Sequence, residues 1–307
     1  MIEYETMDIC FSKMKKRVFD AIKGSDINTI FKTLEQIKEP TITTGVGGSS
    51  VVSKFLANVL RKKNHIICED KMPRTLIYED ISGYKNVIAC SYSGSNIGVK
   101  ASFNNDLNKY LFSGNKKEEV IALQYKVLDE EFSFVSVAGT FAPMAIAFLY
   151  YTDNNEDLLK EILETKVDFI VNKDCDVYEV VYGEEESTAA TMLDSTMVEG
   201  SLAAITLHEK YNYCHGRCML NHHNPHDLIL FKDDSELGKL QEKEFDEFYK
   251  HVIKIERKYD DDIINDFYET FVVMQLCKKI AEEKGKDFCL KAIPDMSDRL
   301  YLFKGEM

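Results

Sequence analysis

Apolar residues recur along the chain in two alternating rhythms. In INTIFKTLEQIKE (27–39), Ile27, Ile30, Phe31, Leu34 and Ile37 share one face at helical spacing, and Pro40 stops the helix. TITT then leads into GVGGSSVVSKFLANVLRKK (45–63). There Val51, Val52, Phe55, Leu56, Val59 and Leu60 return at helical spacing behind a Ser-Ser start suited to an N-cap. The pattern predicts strand, glycine turn and helix. It recurs in NVIACS (86–91), a predicted buried strand that SGSN turns into a helix over GVKASFNNDLNKYL. VIALQY (120–125) and FSFVSVAG (132–139) read as further strands, the latter feeding the apolar helix FAPMAIAFLYY (141–151).

A second series follows the charged stretch NNEDLLKEILETK (154–166). VYEVVYG (177–183) is a predicted strand and TAATMLDSTMVEGSLAAITLHEKY (188–211) a long helical stretch. DLILFKDD (227–234) and HVIKIE (251–256) are predicted strands, and IINDFYETFVVMQLCKKIAEEKG (263–285) is a closing helix stopped by Gly285. Short apolar strands alternating with helices predict a parallel α/β sheet. Two such series predict two similar α/β halves, 1–166 with an N-terminal helix and 167–307 with a C-terminal tail.

Composition narrows the class. A chain of 307 residues, 45% hydrophobic and 29% charged, can bury a substantial core as one large unit or two smaller ones. The formal net charge of −14 argues against nucleic acid or an anionic membrane as partner. It leaves room for a small anion held by backbone N–H groups at a helix start. The N-terminus MIEYETMD is acidic and lacks an apolar leader, and FAPMAIAFLYY is too short to span a bilayer. With eight scattered cysteines, the expectation is a reducing cytoplasm and free thiols.

Two loops carry candidate anion chemistry. GVGGSS (45–50) offers Gly47, Gly48, Ser49 and Ser50 at a helix start, without the GK[ST] of a Walker A loop or the third glycine of a dinucleotide fingerprint. A plain glycine turn explains it equally well. SYSGSN (91–96) presents Ser91, Ser93 and Ser95 around Gly94, and a simple serine N-cap is its plainer alternative. Both loops are expected at the carboxyl ends of strands, the edge where ligands of open α/β sheets bind.

These turns resemble the sugar-isomerase (SIS) domain family. Ser91, Ser93 and Ser95 match that family's Ser-x-Ser-Gly-x-[Thr/Ser] phosphate cradle, with Asn96 where an acidic residue is commoner. VSVAGTFAPMAIAFLYY resembles its later Ala-Gly-Thr turn, at Ala138, Gly139 and Thr140. The resemblance spans most of the chain as a tandem of two flavodoxin-like SIS subdomains. It is the architecture of the isomerase half of glucosamine-6-phosphate synthase and of fructosamine-6-phosphate deglycases. By that resemblance Glu199 is the general base and His215, followed by Gly216, the ring-opening histidine, sixteen residues apart. Thr196 replaces a family lysine, Arg217 a proline, and the acids of VVYGEEES a glycine- or arginine-bearing turn. The chemistry is coherent by itself: moving a proton between C1 and C2 of a sugar needs a carboxylate poised near neutrality, and opening the ring needs a group titrating as histidine does. A solvated helix glutamate is the alternative for Glu199.

Five of the seven histidines lie between His208 and His226. Cys214, Cys218, His222 and His226 recur at i, i+4 spacing, which on a helix would suit zinc, but Gly216 and Asn224-Pro225 break a continuous helix. A surface loop, a site-lining loop and a metal site stay open as readings, and no metal or cofactor is assigned. The resemblance also implies a C-terminal lysine in the site; Lys304 fits by position, Lys291 and Arg299 compete, and a charged tail without function is the alternative. The resulting expectation is an aldose–ketose isomerase or deglycase acting on an amino-sugar or fructosamine-type 6-phosphate, at least a homodimer, with a non-catalytic phosphosugar sensor as its rival.

Overall fold

The computed structural model describes residues 3–94, 97–115, 120–219 and 226–290, and in it the chain forms two parallel sheets, each flanked by helices. This is the α/β architecture that the alternation predicts. Residues up to Leu159, with Cys289, make one compact unit, and Lys160–Phe288 make the other.

In the first unit, α1 (Met7–Gly24) is capped by Thr6 and buries Cys10, Met14, Val18 and Ala21 at helical spacing, and α2 (Ile27–Gln36) is capped by Asp26. Then follow β1 (Thr41–Thr44), α3 (Gly48–Asn64), β2 (Cys68–Asp70) and the single turn α4 (Thr75–Tyr78). β3 (Asn86–Cys90), α5 (Ile97–Ser102), β4 (Asn108–Ser113) and β5 (Ile121–Gln124) precede α6 (Ala138–Tyr151). The sheet order is β2-β1-β3-β4-β5, all parallel. α6 is apolar on every face because it packs against both α1 and α3.

α7 (Glu156–Glu164) leads into the second unit. That unit holds β6 (Val177–Tyr182), a tight turn at Glu184–Glu186, α8 (Ser187–Glu199), β7 (Ala204–Glu209) and the short α9 (Lys210–Asn212). A widened turn over Tyr213–Arg217 follows, then β8 (Asp227–Phe231), α10 (Glu236–Phe248), β9 (Val252–Ile255) and α11 (Asp262–Glu283). The order is β7-β6-β8-β9, again all parallel.

Three elements differ from the sequence reading. The stretch 188–211 is not one helix. Ser201 takes a left-handed φ of 51°, Ser201 N–H bonds Val198 O at 3.1 Å and Leu202 N–H bonds Met197 O at 2.9 Å. These are the two closing bonds of a Schellman stop, and they free AITLHE to become β7. The expected helix over GVKASFNNDLNKYL ends at Ser102, and Asn108–Ser113 is β4. FSFVSVAG is not a strand, because Glu131 gathers this segment by accepting from Ser133 Oγ at 2.9 Å and Val137 N at 2.8 Å.

Candidate functional site

Each sheet has one point where the chain switches direction. β1 connects to β2 on one side and the chain then returns to β3 on the other; β6 connects to β7 and returns to β8. The carboxyl-end crevices between β1 and β3 and between β6 and β8 are therefore the two places where such folds bind ligands.

At the first crevice the GVGGSS turn joins β1 to α3. Gly45 is required by close approach: a Cβ there would lie 2.2 Å from the Ser49 carbonyl oxygen. Gly47 has φ 57° and ψ −140°, a conformation essentially restricted to glycine. Ser50 closes its own turn, donating from N to Gly47 O at 2.8 Å and from Oγ to the same oxygen at 2.7 Å. Among the described residues, the N–H groups of Gly47 and Gly48 and the Ser49 hydroxyl have no partner. No acid occupies the first turn of α3. Gly45 and Val46 line this crevice with Cys90, Gly98 and Val99.

The serine loop after β3 borders the same crevice. Gly94, with φ 63°, donates its N–H to Ser91 Oγ at 3.1 Å, while Ser93 is exposed. Tyr92 OH donates to Glu130 at 3.0 Å, pinning the loop from outside. Ser95 and Asn96 lie outside the described residues. Ala138 and Thr140 are buried at the start of α6. The Thr140 hydroxyl lies 3.0 Å from where a Cβ on Gly48 would stand, so the α6 start abuts the glycine turn. Glu131, unremarked in the sequence, accepts from Val137 N and Gly139 N at 2.8 Å each, so a carboxylate of the chain occupies those amides.

The second crevice has the opposite character. Lys210, just past β7, donates to Glu185 at 2.9 Å and to Asp233 at 2.6 Å. Burial would depress its ammonium, but the two carboxylates outweigh this and hold its pKa above the ordinary lysine value. Glu186 is fully buried, accepts from Gly183 N at 2.5 Å through Oε2, and is pushed by burial, with Glu185 nearby, up to about 8. Glu269, fully buried on α11, is driven well above the carboxylate range by burial and by Glu186.

Glu199 is the last residue of α8, where Ser195 Oγ donates to it at 2.8 Å. Although the residue is exposed as a whole, the protein around its carboxyl raises its pKa, against that hydrogen bond. His215 is exposed in the turn after β7, beside Gly216 with φ 99°. α8 leaves the carboxyl edge of the sheet and ends at the amino edge, where β7 begins. The six residues of β7 span about 20 Å. Glu199 and His215 are thus at opposite edges of their sheet.

His226 precedes β8 at the amino edge, beside an open cavity of about 460 Å³ lined also by Asn172, Asp227, Lys250 and His251. Cys214 and Cys218 lie at the carboxyl edge, so the expected loop does not gather them with His226. Among the described residues, no three of His, Cys, Asp and Glu converge to hold a metal ion. His222, His223, Lys291, Arg299 and Lys304 lie outside the described residues. Among the described residues no helix is long and apolar enough to cross a membrane.

No protein-family profile and no curated protein sequence matches the chain. Solved structures do share its fold. The C-terminal domain of glucosamine-fructose-6-phosphate aminotransferase from Francisella tularensis superimposes with a TM-score of 0.67 at 14% identity, over 92% of this chain and 96% of that one. Tagatose-6-phosphate ketose/aldose isomerase from Escherichia coli gives 0.63 at 13% identity, over 93% of each chain. Glucosamine-6-phosphate deaminase from Thermotoga maritima gives 0.62 at 15% identity, over 90% of this chain and 96% of that one. These likenesses establish the fold of the chain.

Proposed function

We propose that the protein is a sugar-phosphate isomerase or deglycase acting on an amino-sugar or fructosamine-type 6-phosphate. One observation carries this reading: among the described residues, nothing engages the Gly47 and Gly48 amides or the Ser49 hydroxyl, which stand at a helix start without acids. That is the donor set a phosphate dianion needs in a chain of net charge −14. The fold it shares with proteins named for 6-phosphate sugars supports the substrate class.

In this reading Ser91, Ser93 and Ser95 complete the phosphate cradle, with Asn96, Ala138 and Thr140 beside it. Glu199, its pKa raised by the protein around its carboxyl, takes the proton between C1 and C2 through an enediol or enolamine. His215 opens the ring, and Lys304 is the catalytic lysine contributed by the C-terminal tail. Because Glu199 and His215 stand at opposite edges of one sheet, the two acting on a single sugar come from two copies of the chain, as a homodimer provides. The test is solvent proton exchange at C1 of fructose 6-phosphate in deuterated buffer, with phosphosugar affinity measured in parallel. Glu199→Gln is expected to abolish exchange, by 100-fold or more, while affinity stays within about threefold. Binding without exchange in the unaltered protein would establish the sensor instead.

A further inference from the structure

The turn that carries His215 hangs from a buried carboxylate. Glu179 lies in the middle of β6, fully buried, and a carboxylate there is costly unless it is hydrogen-bonded. Its Oε2 lies 3.1 Å from Tyr213 OH and 3.4 Å from Tyr249 OH, and the two phenols contact each other. With one proton apiece, one phenol donates to the carboxylate while the other donates to its neighbour or to the same oxygen. Tyr213 and Tyr249 are buried in one cluster with Val181, Leu228, Leu230 and Phe245, and the Tyr213 ring meets the Phe245 ring edge-on at 5.3 Å.

Tyr213 is the first residue of the widened turn and stands two positions before His215. The segment just before it is held as firmly. Glu209 accepts from Tyr211 N and Asn212 N at 3.0 Å each. Gln241, from α10, donates to Lys210 O at 3.0 Å and to Cys214 Sγ at 3.4 Å. The helical course breaks at His215, with φ −92° and ψ 38°, and Gly216, with φ 99°, turns the chain. A surface loop needs no such anchoring, whereas a group that must meet a reacting atom gains rate from being pre-positioned, and a misplacement of about 1 Å can lose on the order of 100-fold.

We propose that Glu179, Tyr213 and Tyr249 form a positioning unit that presents the His215 imidazole to the ring oxygen of a cyclic sugar phosphate. This rests on His215 being the ring opener. The phenol–carboxylate bonds fix where the turn leaves the sheet, and so where the imidazole stands.

The experiment compares solvent proton exchange on two probes. Fructose 6-phosphate is mostly cyclic, and 5-deoxyfructose 6-phosphate lacks the hydroxyl that closes its ring. Tyr213→Phe keeps the packed ring and removes only the hydroxyl. It is expected to lower kcat on fructose 6-phosphate by about 10- to 100-fold with KM unchanged, and to leave the open-chain probe within twofold. Tyr249→Phe is expected to show the same selectivity with a smaller loss. His215→Ala must show it most strongly. If His215→Ala is selective but Tyr213→Phe is not, the positioning role is wrong and the ring-opening role stands. If His215→Ala slows both probes alike, the reading of His215 fails and takes the proposal with it. A readout without substrate is the ¹⁵N heteronuclear NOE of Cys214 and His215. It should be that of rigid backbone in the native protein and fall in Tyr213→Phe; an unchanged NOE overturns the proposal.

Discussion

The two switch-point crevices have the same topology and opposite chemistry. The first places glycines and serines at the start of α3, with amide donors turned to whatever enters. The second places Glu185 and Asp233 against Lys210, so its cation is already matched to carboxylates of the chain. A parallel sheet therefore makes a ligand site available by topology, but the turn residues decide whether it is left open to an anion or closed by the protein's own charges. The second half also holds acids out of solvent: Glu186 and Glu269 are fully buried, and burial raises both.

Glu186 gives the widest test of that contrast. Its pKa stands near 8 in the folded protein against 4.5 for a free glutamate, so the folded state binds an extra proton between those values. Stability conferred by this group is therefore full below about pH 4.5 and is lost as pH rises toward 8. At 1.36 kcal/mol per unit the loss has an upper bound of about 4–5 kcal/mol. Glu186→Gln keeps the shape and cannot ionise. Urea midpoints should match the native protein at pH 4.5 and exceed it at pH 8.5; parallel curves across that range would mean that burial does not hold Glu186 protonated.

Next in size is the pair of glycines that open the two turns. A Cβ on Gly45 strikes backbone at 2.2 Å, while one on Gly183 meets the ends of the Glu185 and Lys210 side chains at 2.6 Å. Gly45→Ala should lose about 1–3 kcal/mol of stability together with phosphosugar binding, and Gly183→Ala about 1 kcal/mol or less with binding intact. Calorimetric titration with fructose 6-phosphate alongside thermal melts checks both, and equal effects would erase the distinction between the crevices.

The smallest effect is the most specific. Ser49→Asp imports into the first turn the acidity of the second. An acid at a helix start should stabilise α3 by about 0.5 kcal/mol, while repelling a bound phosphate by roughly 10-fold in affinity. Stability and affinity moving in opposite directions is the signature; unchanged affinity places the phosphate elsewhere.

What could be read in advance follows from burial. β3, β6 and β8 are covered on both faces and so appear as largely apolar runs, broken in β6 only by Glu179, and α11 announced its end through Gly285. β7 did not, because its side chains are largely half-exposed or exposed, and AITLHE continued an apolar stretch whose helical stop rests on a left-handed serine. GVGGSS was legible as a possible anion turn because its glycines answer to local geometry. Glu131, Glu179, Glu186 and Glu269 were not: in the sequence each is one more acid among 52 acidic residues.

The sequence by itself thus determined the alternation of strands and helices, the two series and the glycine turn, since these depend on side-chain period and on backbone conformations that neighbouring residues dictate. Only the tertiary structure decided which acids are buried, that Glu199 and His215 stand at opposite edges of a sheet, and that Tyr213 anchors the turn between β7 and β8. Those facts depend on which distant segments meet, and a carboxylate's charge state, reach and role are set by such neighbours, not by its place in the chain.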